Sequence, residues 1–132
     1  MSAYTVCRIE DAEDLLGGQY PGAMRSLTQA MDAEQVAFTH RVMPQGAGGK
    51  GYYGHHHKTQ EEVYYLVSGR LEMKLEDEVI EIGPGTVVRV APGTARSIYN
   101  AEPDEAVVVI ISQKIDDPGA DAVIDEGFWP AD

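Results

Sequence analysis

Cysteine is almost missing from this chain, which has one, Cys7, in 132 residues. A lone cysteine forms no internal disulfide, so the fold must be held by its core, and a reducing cytoplasm is the expected setting. Cys7 falls in residues 4–9, read as a short strand, with no His or Asn beside it, so a nucleophilic role is not expected. No run approaches the roughly 20 apolar residues that a membrane span requires. The opening residues, MSAYTVCRIEDAEDLL, contain no basic stretch leading into an apolar one, so no signal peptide is expected. Basic residues are scarce, 10 against 22 acidic, and the net charge is −12. Such a chain is repelled by nucleic acid and by anionic membranes, and neither is expected as a partner. There is no GxSxG and no GxxxxGK[ST], which removes the serine-hydrolase and P-loop readings.

What the chain does have is a succession of short strand patterns. The length suits one domain that buries roughly two thirds of its unfolded surface. Residues 10–16 read as a turn of helix, the Gly/Pro run at 17–22 breaks the chain, and residues 24–31 fit either a helix or an edge strand. Over residues 35–43, Val36, Phe38 and Val42 alternate with polar residues as in a half-buried strand. His40 shares their parity and is expected to point inward. Strands follow at 63–67, 71–75, 79–82, 86–90, 96–100 and 107–112, separated by Gly/Pro and acidic turns. Short strands at this spacing indicate a small barrel or sandwich. The tail, residues 116–132, is acidic and without periodicity. Its Phe128-Trp129-Pro130 is too apolar to stay in water and is expected to dock on the barrel or on a partner chain.

The chemistry is concentrated in residues 49–69, GKGYYGHHHKTQEEVYYLVSG. Side chains alternate along a strand, so His55 and His57 share a face and His56 points away. Two imidazoles starting roughly 7 Å apart can close on one ion, and Glu61 or Glu62 can add a carboxylate. Two histidines and a carboxylate form a metal set with open positions for water or substrate. A polar strand end with solvated histidines explains the same HxH. Tyr52, Tyr53, Tyr64 and Tyr65 can line the interior or pack as ordinary strand residues.

Two motifs together resemble the cupin family. Glycine, five residues, HxH, four residues, glutamate, six residues and glycine are matched by Gly49, His55, His57, Glu62 and Gly69. Glycine, five residues, PxG, two residues, histidine, three residues and asparagine are matched in spacing by Gly85, Ala91-Pro92-Gly93, Arg96 and Asn100. Ala91 replaces the motif proline and Arg96 the histidine. The resemblance covers about residues 35–113, with residues 1–34 and 114–132 as short irregular extensions. It implies an all-β, double-stranded β-helix (jelly-roll) barrel in a single domain, often paired as a homodimer. It also implies a divalent metal (Zn, Fe, Mn or Ni) at His55, His57 and Glu62, and selects Glu62 over Glu61.

Arg96 stands where the fourth ligand belongs. A guanidinium has no lone pair for a metal, and roughly 5 Å from a divalent ion it is repelled by several kcal/mol at an effective dielectric of about 20. Three arrangements are open: a forked pair with Glu62 and no metal, an anion clamped beside a bound metal, or Arg96 turned out of the barrel. We read the chain as a barrel that binds a small anionic metabolite through Arg96, with His40 and Tyr53 as further contacts. The alternative is a metal-dependent enzyme of dioxygenase or isomerase type. Family members have both kinds of role, so fold alone does not decide.

Overall fold

The structure, a computed structural model, describes residues 3–132. Its strands are β1 (Ala23–Ser26), β2 (Val36–Met43), β3 (Tyr53–His57), β4 (Glu62–Ser68), β5 (Leu71–Leu75), β6 (Glu78–Ile82), β7 (Val87–Val90), β8 (Arg96–Tyr99), β9 (Ala106–Gln113) and β10 (Ala122–Glu126), with one helical turn, α1 (Pro118–Asp121), before the last. They form two antiparallel sheets, ordered β1-β2-β9-β4-β7 and β10-β3-β8-β5-β6. Two five-stranded antiparallel sheets with crossing connections are the jelly-roll arrangement the strand pattern implied. Among the described residues no helix is long and apolar enough to cross a membrane.

The register sorts the interior into an apolar end and a polar end. In the first sheet Met43 lies opposite Ala106 and Leu66 opposite Val108. These residues and Met73 from the second sheet are wholly buried. Toward the other end of the same strands, Glu62 lies opposite Ser112 and Ala37 opposite the same serine. One end of the barrel is therefore a packed core, and the polar side chains gather at the other.

Two motif glycines are explained by close approach. Gly69 turns between β4 and β5 at φ +80, and a Cβ there would lie 2.7 Å from the Ala106 Cα. A Cβ on Gly49 would lie 2.0 Å from the Ser97 Oγ, so only glycine lets the loop press against β8. Asn100 is wholly buried. Its Nδ2 donates to the carbonyls of Met43 and Asp104, each at 2.8 Å, and its Oδ1 accepts from the Glu102 amide. It closes a turn and does no chemistry. The Gly93 amide donates to the His57 carbonyl at 2.7 Å, tying the second motif to the first.

Each extension contributes an edge strand, while residues 3–22 stay largely irregular. Residues 4–9 form no strand, and Tyr4 and Val6 are exposed; a 3-10 turn, Ile9–Asp11, takes the place of the expected helical turn. The ambiguous stretch at 24–31 resolves into β1, an edge strand paired with β2. The larger correction is the tail. Residues 122–126 pair with the whole of β3, from Ala122 opposite His57 to Glu126 opposite Tyr53. Val123 and Ile124 are adjacent apolar residues on opposite faces of this edge strand, so it shows no clean apolar/polar alternation. Beyond β10 the apolar end docks on the barrel. Phe128 packs over Gly54, and Trp129, 5% exposed, meets Tyr99 edge-on at 6.1 Å.

Candidate metal centre

The motif residues come from both sheets. His55 and His57 lie on the inner face of β3, and Arg96 of β8 is the register partner of His55. Glu62 enters from β4 of the opposite sheet, with Tyr64 two residues along on the same face. One metal-ligating atom from each of His55, His57 and Glu62 lies within 4.8 Å of the others. The His55 Nε2 is 3.8 Å from Glu62 Oε1, and the His57 Nε2 is 3.5 Å from Oε2. The two imidazoles stand edge to face with centroids 5.2 Å apart. His56 faces outward as expected and its Nδ1 pairs with Asp125 Oδ2 at 2.9 Å.

Arg96 is wholly buried and fully used. Its Nη2 donates to Glu62 Oε1 at 2.5 Å, its Nη1 to the Thr94 carbonyl at 2.8 Å and its Nε to the Tyr64 hydroxyl at 3.4 Å. Tyr64 in turn donates to Glu62 Oε1 at 3.1 Å. Of the three arrangements open for Arg96, the structure shows an inward Arg96 paired with Glu62, but through the single Nη2–Oε1 contact rather than a fork. That pair leaves Oε2 directed at His57. Burial alone would raise the Glu62 carboxyl, but the nearby His55 imidazole, the hydrogen bond from Arg96 and its positive charge outweigh it and hold it at about 2. Burial raises the Tyr64 phenol, and burial lowers His57 more than Glu62 raises it.

His57 is oriented by a residue of the tail. Asp121, buried at the end of α1, accepts from the His57 Nδ1 at 3.2 Å. The same carboxylate accepts from the Thr59 amide and hydroxyl and from the Gln60 amide. Those donors lower its pKa, the Thr59 hydroxyl most. An ionised carboxylate only accepts, so Nδ1 carries the proton and Nε2 presents a lone pair to Glu62 Oε2. A lone pair and a carboxylate oxygen at 3.5 Å do not satisfy each other. They form the kind of donor set a divalent cation fills, with Asp121 as its outer support. The residues present therefore fit a metal.

Two connected spaces meet at this centre. A chamber of about 400 Å³ is bounded by His55, His57, Glu62, Tyr64 and Arg41. A wider cleft of about 820 Å³ leads from His57 and Glu62 past Gln60 and Ser112 to the N-terminal arm and Lys114. Tyr53, half exposed, stands at the chamber wall. His40 does not line either space: Thr39 and Arg41 do. The expected parity is reversed because the outer face of the first sheet is itself apolar, so Val36, Phe38 and Val42 mark the outside. His40 lies on that face opposite Arg25 and Val109, its pKa lowered by burial and then by Arg25. Arg41 and Asp121 escaped the sequence reading. Asp121 had one faint signal, the Asp-Pro-Gly turn before it.

Residues 39–112 match the Cupin domain family model, more than half of the chain, and the chain belongs to the cupin family. It is 39% identical over 46 residues to the uncharacterized protein MJ1618 of Methanocaldococcus jannaschii, a match spanning 35% of this chain and 37% of that protein. It is 36% identical over 53 residues to the uncharacterized protein SCO3923 of Streptomyces coelicolor, spanning 40% of this chain and 50% of that protein. These matches thus span half or less of the relatives' own length. Among solved structures, a cupin protein from Bacteroides fragilis superposes with a TM-score of 0.70 at 26% identity, covering 88% of each chain. A candidate sugar phosphate isomerase from Acidithiobacillus ferrooxidans superposes with a TM-score of 0.63 at 26% identity, covering 72% of this chain and 60% of that one.

Proposed function

We propose that this barrel holds a divalent metal at His55, His57 and Glu62 and binds a small anionic metabolite in the chamber beside it. The observation that carries the reading is the opposed pair of acceptors, the lone pair of His57 Nε2 and Glu62 Oε2 at 3.5 Å. A cation satisfies both at once. Arg96 neutralises only Oε1, so the pair and the metal divide one carboxylate between them. The ion would supply a Lewis acid beside the chamber and an attachment point for an anionic oxygen. Zn²⁺, Fe²⁺, Mn²⁺ and Ni²⁺ all suit mixed N/O donors.

Metal analysis of untagged protein dialysed against each of these ions tests the reading. We expect uptake of about one equivalent, lost in His57→Ala and kept in His56→Ala. Uptake below about a tenth of an equivalent with all four ions would sink it.

The second reading is a metal-dependent enzyme of isomerase or dioxygenase type. Its support is the likeness to the candidate sugar phosphate isomerase, and turnover of a sugar phosphate by metal-loaded protein is its test. A cytoplasmic homodimer belongs to the same proposal. Its support is the lone cysteine and the outer face of the first sheet, where Val36, Tyr65, Val67 and Val87 are exposed. A monomeric mass by light scattering removes the dimer.

A further inference from the structure

Arg41 is a half-buried cation without an anion among the described residues. It stands on the inner face of β2 and bounds the 400 Å³ chamber. Its Nε is buried and has no hydrogen-bond partner. No ion pair among the described residues includes it, although 22 acidic side chains are available to this chain. Its titratable neighbours are the phenols of Tyr64 and Tyr53, which carry no charge near neutral pH, and burial lowers its pKa. Holding a charge half-buried and unpaired, with one N–H shut off from water, costs free energy that an anionic partner would recover. Arg96, by contrast, has each of its nitrogens engaged by protein groups. The guanidinium available to an incoming anion is therefore Arg41.

The rest of the chamber narrows the ligand. Leu16, Met24, Ile98, Ile110 and Ile124 supply apolar wall. Its volume holds about a dozen water molecules, at the small end of ligand sites. Polar groups line the chamber mainly at the centre and at Thr39 and Ser97, so a polyhydroxylated ligand would leave some hydroxyls against hydrocarbon, at a cost for each unpaired group. A planar carboxylate matches the guanidinium fork in two parallel hydrogen bonds.

We propose that Arg41 anchors the carboxylate of a small organic acid with an apolar body, which lies in the chamber between Arg41 and the His55, His57 and Glu62 centre. This rests on the anion-binding reading above and gives it a residue and a ligand class.

Calorimetric titration of the metal-loaded protein with benzoate, hexanoate, benzamide and glucose 6-phosphate tests it. Benzoate or hexanoate is expected to bind, while benzamide and glucose 6-phosphate are not. Arg41→Met should weaken the carboxylate by about 10- to 100-fold, with Arg41→Lys intermediate because the fork is lost and the charge kept. The thermal midpoint of free Arg41→Met should hold or rise, since a half-buried unpaired charge has gone; Arg41→Gln serves if the Met variant does not fold. Equal carboxylate affinity in the wild type and Arg41→Met overturns the anchor and leaves the anion-binding reading standing. Binding of glucose 6-phosphate alone overturns the ligand class. If no anion binds the wild type, both fall.

Discussion

Arg96 and Glu62 reach toward each other from opposite sheets, and the guanidinium Nη2 rests 2.5 Å from the carboxylate Oε1. The guanidinium is wholly buried and the carboxylate nearly so. This contact is a crosslink between the sheets as much as part of the candidate metal centre. It explains how a cation can occupy the fourth ligand position of a family metal site: its charge is spent on one oxygen of a ligand that has a second to offer.

Arg96→Met should therefore destabilise strongly. It removes the partner of a buried carboxylate while leaving the carboxylate in place, a loss of about 3–5 kcal/mol. Urea denaturation of the metal-free protein measures it, and an unchanged midpoint would show that the pair does not hold the sheets together. Arg96→His makes the opposite point about the metal. It supplies a neutral nitrogen donor and removes the competing charge, so Zn²⁺ affinity should rise even as metal-free stability falls. Competition with a chromophoric chelator separates the two effects.

Asp121 should matter to the metal without touching it. Its carboxylate fixes the proton on His57 Nδ1 and so points the lone pair of Nε2 inward. Asp121→Ala is expected to lower metal affinity by about 10- to 100-fold. His56→Ala, which removes a histidine paired outward with Asp125, should leave it unchanged. The same chelator competition decides; equal losses in both variants would mean that the outer support is not specific.

The parts of this site that repeat at fixed spacing were readable from the chain, and the parts that depend on which side of a sheet faces in were not. HxH and Glu62 sit on the inner faces of β3 and β4 because strand parity is local, and two matched motifs fixed which glutamate to choose. The sheet that carries Arg41 is apolar on both faces, with Phe38 and Val42 outside and Met43 inside, so alternation could not tell His40 from Arg41. Asp121 lies 61 to 64 residues from its partners Gln60, Thr59 and His57 in sequence, and only the pairing of β10 with β3 brings it beneath His57. No local pattern encodes that pairing. That Arg96 pairs with Glu62 was one of three arrangements open to the sequence; that it does so through one oxygen alone, with Tyr64 and Thr94 taking its other nitrogens, was not legible there.

Trp129 holds this tail in place. It is 5% exposed, lies edge-on to Tyr99, and carries the Lys50 ammonium 5.8 Å from its ring centroid. The Gly51 amide donates to its carbonyl at 2.6 Å. Trp129→Ala should cost about 3–5 kcal/mol on burial grounds. The loss should also loosen β10 from β3, so amide exchange over residues 122–126 should quicken more than over β4 or β9. A uniform increase across both sheets would show that the tail does not act as a separate latch.

Asp14 connects the N-terminal arm to the chamber, and its pH dependence has a definite sign. One oxygen, Oδ1, accepts from the amides of Leu16 and Met24, each at 3.0 Å, and both of those residues bound the chamber. The Met24 amide, then that of Leu16, holds the carboxyl below its ordinary value of 3.8. A folded pKa below the unfolded one means that the contact stabilises the arm above about pH 3.8 and is lost as the pH falls through the lower, folded value. The amide resonances of Leu16 and Met24 should therefore shift together, with a common midpoint below 3.8. In Asp14→Asn the side-chain oxygen still accepts but nothing titrates, so that common shift should vanish while the arm stays ordered. A midpoint at or above 3.8 in the wild type would mean that the two amides do not hold the carboxylate, and that the arm is fastened over the chamber by Leu16 and Met24 packing alone.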